Sequence, residues 1–304
     1  MSKPYKINFE QLRQEGLKEL FGSLEKAFDT LGIDFYIVGA IARDTWFAHS
    51  GIKTIGTADV DFAVYIPEKE NFLALKKYLQ EKEGFNVSSQ NQFAVFSPKG
   101  MQVDLLPFGE IEVEGKVMLE GKELAKIAVN GFREVYETAL APVEYSEDHI
   151  FKVCTLPGIV ILKLITFDDR PEARQKDIGD IGKILQHYFD IESDIIYEHH
   201  NDLFDSTAEL PLIAARVLGR QMQIILSRSA ELKKRIASIL ELSISNKENS
   251  PLIRLLSKQG EMDIDFSANL LSEMLAGTND KISNKSESNS LSEIKEIIQK
   301  NKKK

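Results

Sequence analysis

A single cysteine, Cys154, is all the thiol chemistry that 304 residues carry. One thiol excludes an internal disulfide framework and a cysteine-built zinc site. Histidine is also scarce: of five, only His199 and His200 are adjacent. Neighbouring residues on a helix do not face each other, so that pair makes no zinc site either. No apolar run reaches the roughly 18 residues a membrane span needs. The opening MSKPYKINFE lacks the apolar stretch of a secretion signal. These absences predict a cytoplasmic protein with no membrane partner. Basic residues are outnumbered, 38 Lys and Arg against 47 Asp and Glu, for a net charge of −9. That balance argues against broad, sequence-independent nucleic-acid binding, which needs a basic surface, but leaves room for a local basic patch. The remainder, 43% hydrophobic and 28% charged, is that of a soluble globular chain. Its length suits two domains of roughly 100–200 residues each.

Hydrophobic spacing divides the chain. Phe9, Leu12, Leu17, Leu20, Phe21, Leu24, Phe28 and Leu31 recur at helical intervals and predict one helix over 9–31, closed by Gly32. Phe35–Val38 reads as a buried strand, Gly39-Ala40 as a turn, and Ile41–His49 as a helix. Val60–Ile66 is a second strand, and 68–82 a helix. Strands follow at 92–96 and 101–106, then a hairpin arm at 113–119. From Leu156 the pattern turns helical, through 156–168, 174–190 and 208–243. After Gly277 the composition shifts to Ser, Asn, Lys and Glu. Residues 283–290 read as a linker, and 291–304 as a short amphipathic helix in a mobile tail. The boundaries expected are 1–150, 151–276 and 277–304.

Chemistry concentrates in the first part. Asp59 and Asp61 lie in TADVDFAVYI. On a strand, residues two apart share a face, and two adjacent carboxylates are costly without a cation between them. Mg2+ takes one or two carboxylates plus substrate phosphates, so the pair points to phosphoryl or nucleotidyl transfer. The chain holds an internal control, MDIDF with Asp263 and Asp265, which lies in the helical half without a glycine turn and reads as structural. Asp104 interrupts the apolar run MQVDLLPF. A buried carboxylate there needs a partner. That partner is either a basic side chain or the Asp59 strand, and in the second case Asp104 is a general base and further metal ligand. The Gly39-Ala40 turn opens a helix whose backbone N–H groups suit phosphate. Arg43 either clamps phosphate or pairs with Asp44, and Thr57 either meets phosphate or braces its loop. Lys163, in the apolar GIVILKLITF, either snorkels or reaches a cleft to neutralise a triphosphate. Asp177 and Asp180 share a helix face, as N-terminal charge complementarity or as part of a site.

Together, Gly39-Ala40, Asp59-Val60-Asp61 and Asp104 resemble the nucleotidyltransferase superfamily with the DNA polymerase β-like fold. Lys163 and Lys176-Asp177-Ile178-Gly179-Asp180 make the chain most like the bacterial AbiEii-type nucleotidyltransferases, which include toxins of toxin–antitoxin pairs. VGAIARD is also similar to the VGGxVRD of tRNA CCA-adding enzymes, without a counterpart of their R-R-D-F-T-x-N-A motif. The resemblance covers about 35–190. It implies an α+β fold, with an N-terminal polymerase β-like mixed sheet and flanking helices followed by a C-terminal helical bundle. It implies one or two Mg2+ held by Asp59, Asp61 and Asp104, and a nucleoside triphosphate as co-substrate bound by Gly39, Ala40, Arg43, Thr57 and Asp177. Asp104 would activate the acceptor hydroxyl, and Lys163 would neutralise departing pyrophosphate. The implied acceptor is tRNA or a small hydroxylated molecule, and the implied protein partner an antitoxin. An antibiotic-type transferase and a non-catalytic nucleotide- or partner-binding module of the same fold are the alternatives. The turn departs from the family's Gly-Gly or Gly-Ser, which removes one hydroxyl contact to phosphate.

Overall fold

The computed structural model describes residues 4–54, 56–88, 90–119, 125–146, 149–204, 209–281, 294–296 and 298–299. The chain is a mixed α+β protein of two compact units, Met1–Thr155 with Asn289–Lys304, and Leu156–Ser288.

The first unit runs β1 (Tyr5–Lys6), α1 (Leu17–Leu31), β2 (Phe35–Val38), α2 (Gly39–His49), β3 (Asp59–Tyr65) and α3 (Lys69–Lys82). It continues with β4 (Asn86–Val87), β5 (Ala94–Phe96), β6 (Gln102–Phe108), β7 (Lys116–Leu119), β8 (Ala125–Ala128), α4 (Phe132–Thr138), β9 (Leu140–Ser146) and β10 (His149–Cys154). Among the described residues, eight strands form one sheet in the order β1-β9-β10-β2-β3-β6-β5-β4, and β7 and β8 pair separately. The junctions β1/β9, β10/β2 and β3/β6 are parallel and the other four antiparallel. Alternation along β3 decides its two faces. Phe62 meets Phe21 and Phe28 of α1, with ring centroids 5.4 and 5.9 Å away. Val60, Phe62 and Val64, all fully buried, therefore point toward α1, and Asp59, Asp61 and Ala63 point away from it. Phe9, Phe21, Tyr145 and Phe151 extend the aromatic core on the α1 side. Such ring pairs add about 0.5–1.5 kcal/mol each beyond their burial.

Two expectations change. The single helix over 9–31 is a 3-10 turn at Phe9–Leu12 followed by α1. Arg13 at φ 53° and Gly16 at φ 82° take left-handed backbone that no helix continues through. Apolar periodicity persists across the break because both pieces pack inward. The first unit also passes residue 150 and ends at Thr155, because β10 pairs with both β9 and β2. The expected linker at 283–290 lies outside the described residues, as do 291–293, 297 and 300–304 of the expected tail helix. Residues 294–296 and 298–299 are helical. Ile294 is buried, and the Lys295 ammonium is 2.9 Å from Asp34.

The second unit comprises α5 (Leu156–Asp169), α6 (Gln175–Ile191), α7 (Ser193–His199), α8 (Leu210–Leu226), α9 (Ala230–Ser245), α10 (Pro251–Gly260) and α11 (Ile264–Gly277). Residues 156–165 of α5 are all buried and, apart from Lys163, apolar, as befits a helix packed on every side. Helices α8 and α11 touch backbone to backbone. A Cβ on Gly219 would lie 2.0 Å from the Met274 carbonyl oxygen, and one on Gly277 2.1 Å from that of Arg216. Asp263 caps α11 by accepting from the Phe266 N–H at 2.6 Å, and Asp265 pairs with Lys247. The second D-x-D is thus structural, as its context suggests. Among the described residues no helix is long and apolar enough to cross a membrane.

Candidate active site

Strands β3 and β6 pair in parallel with Asp59 opposite Gln102 and Asp61 opposite Asp104. Paired residues share a face, so three carboxylates and one amide occupy two successive rungs of the ladder on the side turned from α1. Each of the three aspartates is half-buried. Asp104, separated from the pair in sequence, joins it through this register.

Strand β2 adds a third strand to the site. Val38 pairs with Asp61, and the chain turns directly from Val38 into α2. Gly39 makes that turn at φ +70°. A Cβ there would lie 2.0 Å from Asp61 Oδ2 and 2.9 Å from its Cγ. Position 39 favours glycine for its left-handed backbone, and a methyl there would also displace the Asp61 carboxylate pressed against it. Helix α2 has no side-chain N-cap. Its first-turn amides lack intrahelical acceptors and favour negative charge. Gly39 and Ala40, both partly exposed, form this end.

Neighbouring groups hold the carboxylates. The Thr57 hydroxyl donates to Asp59 Oδ1 at 2.5 Å, and the Gln102 amide donates to Asp104 Oδ1 at 2.9 Å. Thr57 thus braces a carboxylate. Arg43 pairs with its neighbour in sequence. It is 4% exposed and its guanidinium donates to Asp44 Oδ1 at 2.5 and 2.7 Å. Gln102 was missed by sequence reasoning. The same two-residue spacing that pairs Asp59 with Asp61 puts it on the face of Asp104.

As the side chains stand, no three His, Cys, Asp or Glu residues among those described are grouped to hold a metal ion. Mg2+ needs only one or two carboxylates from protein when substrate phosphates and water complete its shell. Asp59 and Asp61 supply hard oxygen donors side by side, a chemistry that fits such a cation.

Lys163 and Asp177 belong to the second unit. The Lys163 ammonium, expected to face a leaving pyrophosphate, is held 2.8 Å from both Asp177 and Asp180, and the Thr166 hydroxyl donates to Asp177 at 2.9 Å. Burial alone would depress the lysine. The charges and hydrogen bonds of the two carboxylates outweigh it and hold Lys163 above the ordinary lysine value.

No family model and no curated protein matches the chain. Among solved structures it is similar to CCA-adding enzymes. An apo form is 14% identical over 86% of this chain and 69% of that one, with a TM-score of 0.30. The complex with ATP is 15% identical over 80% and 62%, TM-score 0.30, and that with CTP 15% over 97% and 69%, TM-score 0.31. Likeness at these TM-scores decides neither fold family nor function.

Proposed function

We propose that the chain is a metal-dependent nucleotidyltransferase that moves a nucleoside monophosphate from a triphosphate to an acceptor hydroxyl. The observation that carries this reading is the ladder register that puts Asp104 beside Asp61, with Asp59 one rung away and the uncapped start of α2 against Asp61. Asp59 and Asp61 would hold a hard divalent cation, which when bound offsets phosphate charge and helps align the α-phosphorus. The amides at Gly39 and Ala40 would receive triphosphate oxygens. Asp104 would accept the proton of the acceptor hydroxyl as its oxygen bonds to the α-phosphorus and the bond to pyrophosphate breaks. The buried Lys163 node is assigned the role of fixing α5 to α6. RNA, tRNA in particular, is the acceptor we favour, in a toxin of a toxin–antitoxin pair. A small hydroxylated molecule is the competing acceptor.

A nucleotide-binding module without turnover is the second reading. It is favoured by the Gly39-Ala40 turn, which has no hydroxyl for phosphate, and by carboxylates not grouped as a three-ligand site. Calorimetric titration of ATP and of CTP with Mg2+, beside an assay for released pyrophosphate, separates the two. Binding with pyrophosphate release upon adding total bacterial RNA supports the transferase. Binding without release for any acceptor supports the module. No binding to the wild-type chain refutes both.

A further inference from the structure

We propose that Gln102 is a positioning residue that holds the Asp104 carboxylate in place through a neutral hydrogen bond; this rests on the nucleotidyl-transfer reading above. Gln102 and Asp104 lie two apart on β6, share a face, and are joined by the 2.9 Å bond from Nε2 to Oδ1. Because an ionised carboxylate only accepts, the amide nitrogen must be the end turned toward it. The same device recurs one strand away. Thr57 precedes Asp59 by two residues and donates to its Oδ1 at 2.5 Å. Each clamp is a neutral donor set two residues before its aspartate.

Neutrality is the point of the choice. Lysine or arginine in place of Gln102 would bind the carboxylate more strongly, yet would cancel negative charge needed to hold a hard cation. Glutamate would add a fourth negative group to Asp59, Asp61 and Asp104 on one face. An amide fixes one oxygen and leaves the net charge of the face unchanged. Outer partners of this kind orient the groups that touch metal or substrate. Gln102 pairs across the ladder with Asp59 as well, so its side chain stands where both rungs meet.

The test uses the full chain. Gln102→Leu removes the donor at similar volume, and Thr57→Val does the same for Asp59. Gln102→Leu should lower kcat roughly 10–100-fold, with the KM for nucleotide unchanged and the melting temperature kept; Thr57→Val should instead raise the Mg2+ concentration that transfer needs by a similar factor. Gln102→Lys restores a donor but adds charge. It should be as impaired as Gln102→Leu, whereas a hydrogen bond of purely structural value would be rescued by lysine. A readout independent of turnover is the side-chain amide NMR signal of Gln102. It should be shifted and slow to exchange in the wild-type protein, and should move to solvent-exposed values in Asp104→Ala. Full kcat in Gln102→Leu overturns the proposal, as does recovery in Gln102→Lys or an amide signal indifferent to Asp104→Ala. Should the wild-type chain transfer nucleotide to no acceptor, the transferase reading fails by itself, and the amide signal then decides the clamp.

Discussion

Replacing Gly39 with alanine tests the local geometry more sharply than replacing any carboxylate. Two costs can be separated. At φ +70° an L-residue is strained by roughly 1–2 kcal/mol. The added methyl also falls 2.0 Å from Asp61 Oδ2, so the carboxylate must move or the backbone must give. Overpacking of this kind costs about 1–3 kcal/mol. If Asp61 is held and the backbone gives, the sum is about 2–5 kcal/mol. If Asp61 swings aside, part of that strain is relieved, and misplacing a reacting group by about 1 Å can cost on the order of 100-fold in rate. Gly32→Ala is the built-in control. Gly32 has φ +64° with nothing within 4 Å of its virtual Cβ, so it carries the strain without the clash. Urea unfolding of both variants, with m-values compared to wild type, and nucleotide transfer measured on each, decide the matter. Gly39→Ala should be inactive and at least as destabilised as Gly32→Ala. A Gly39→Ala protein with wild-type transfer would refute the claim that Asp61 must stand against the start of α2.

Two further perturbations probe the second unit. Lys163→Met should destabilise the protein by roughly 3–5 kcal/mol in urea unfolding, because it strands the Asp177 and Asp180 charges without a cation; an unchanged midpoint would mean that the node is not load on the fold. Since the folded Lys163 lies above its ordinary value, its stabilising contribution is fully present at neutral pH and is lost only as pH rises through that raised value. Glu192, at the joint of α6 and α7, is pushed up to about 7 by burial. A carboxyl raised in the fold contributes stability that is complete below its unfolded value and lost as pH climbs toward 7. Glu192→Gln should therefore leave stability unchanged near pH 4 and raise it by on the order of 3 kcal/mol at pH 8. Equal effects at both pH values would contradict the assignment.

What could be read from the sequence was whatever is local. Asp59 and Asp61 share a face because of a two-residue spacing, and Gly39 announces its turn by sitting between an apolar strand and a helix. Asp104 was legible only as a charge out of place in an apolar run; its neighbour Asp61 is fixed by a parallel pairing that no short window contains. Strands β9 and β10 escaped reading for another reason. They are buried on both faces, so the two-residue alternation that marks a half-exposed strand is missing, and Pro142 in β9 reads as a breaker. Arg43 and Lys163 show the limit most clearly. Which carboxylate a buried cation meets depends on packing that spacing alone does not give: Arg43 pairs with Asp44, and Lys163 with Asp177 and Asp180.

The central claim, that Asp59, Asp61 and Asp104 transfer nucleotide, meets its most direct test in a labelling assay. The protein is incubated with Mg2+, each α-32P-labelled nucleoside triphosphate in turn, and total bacterial RNA, beside Asp61→Ala. That variant should fold as the parent does, since it removes one of three like charges from one face. Label on small RNA that disappears in Asp61→Ala is the result the account predicts. Label that persists in Asp61→Ala, or an Asp61→Ala protein that fails to fold, would contradict it by showing that the carboxylate pair is structural.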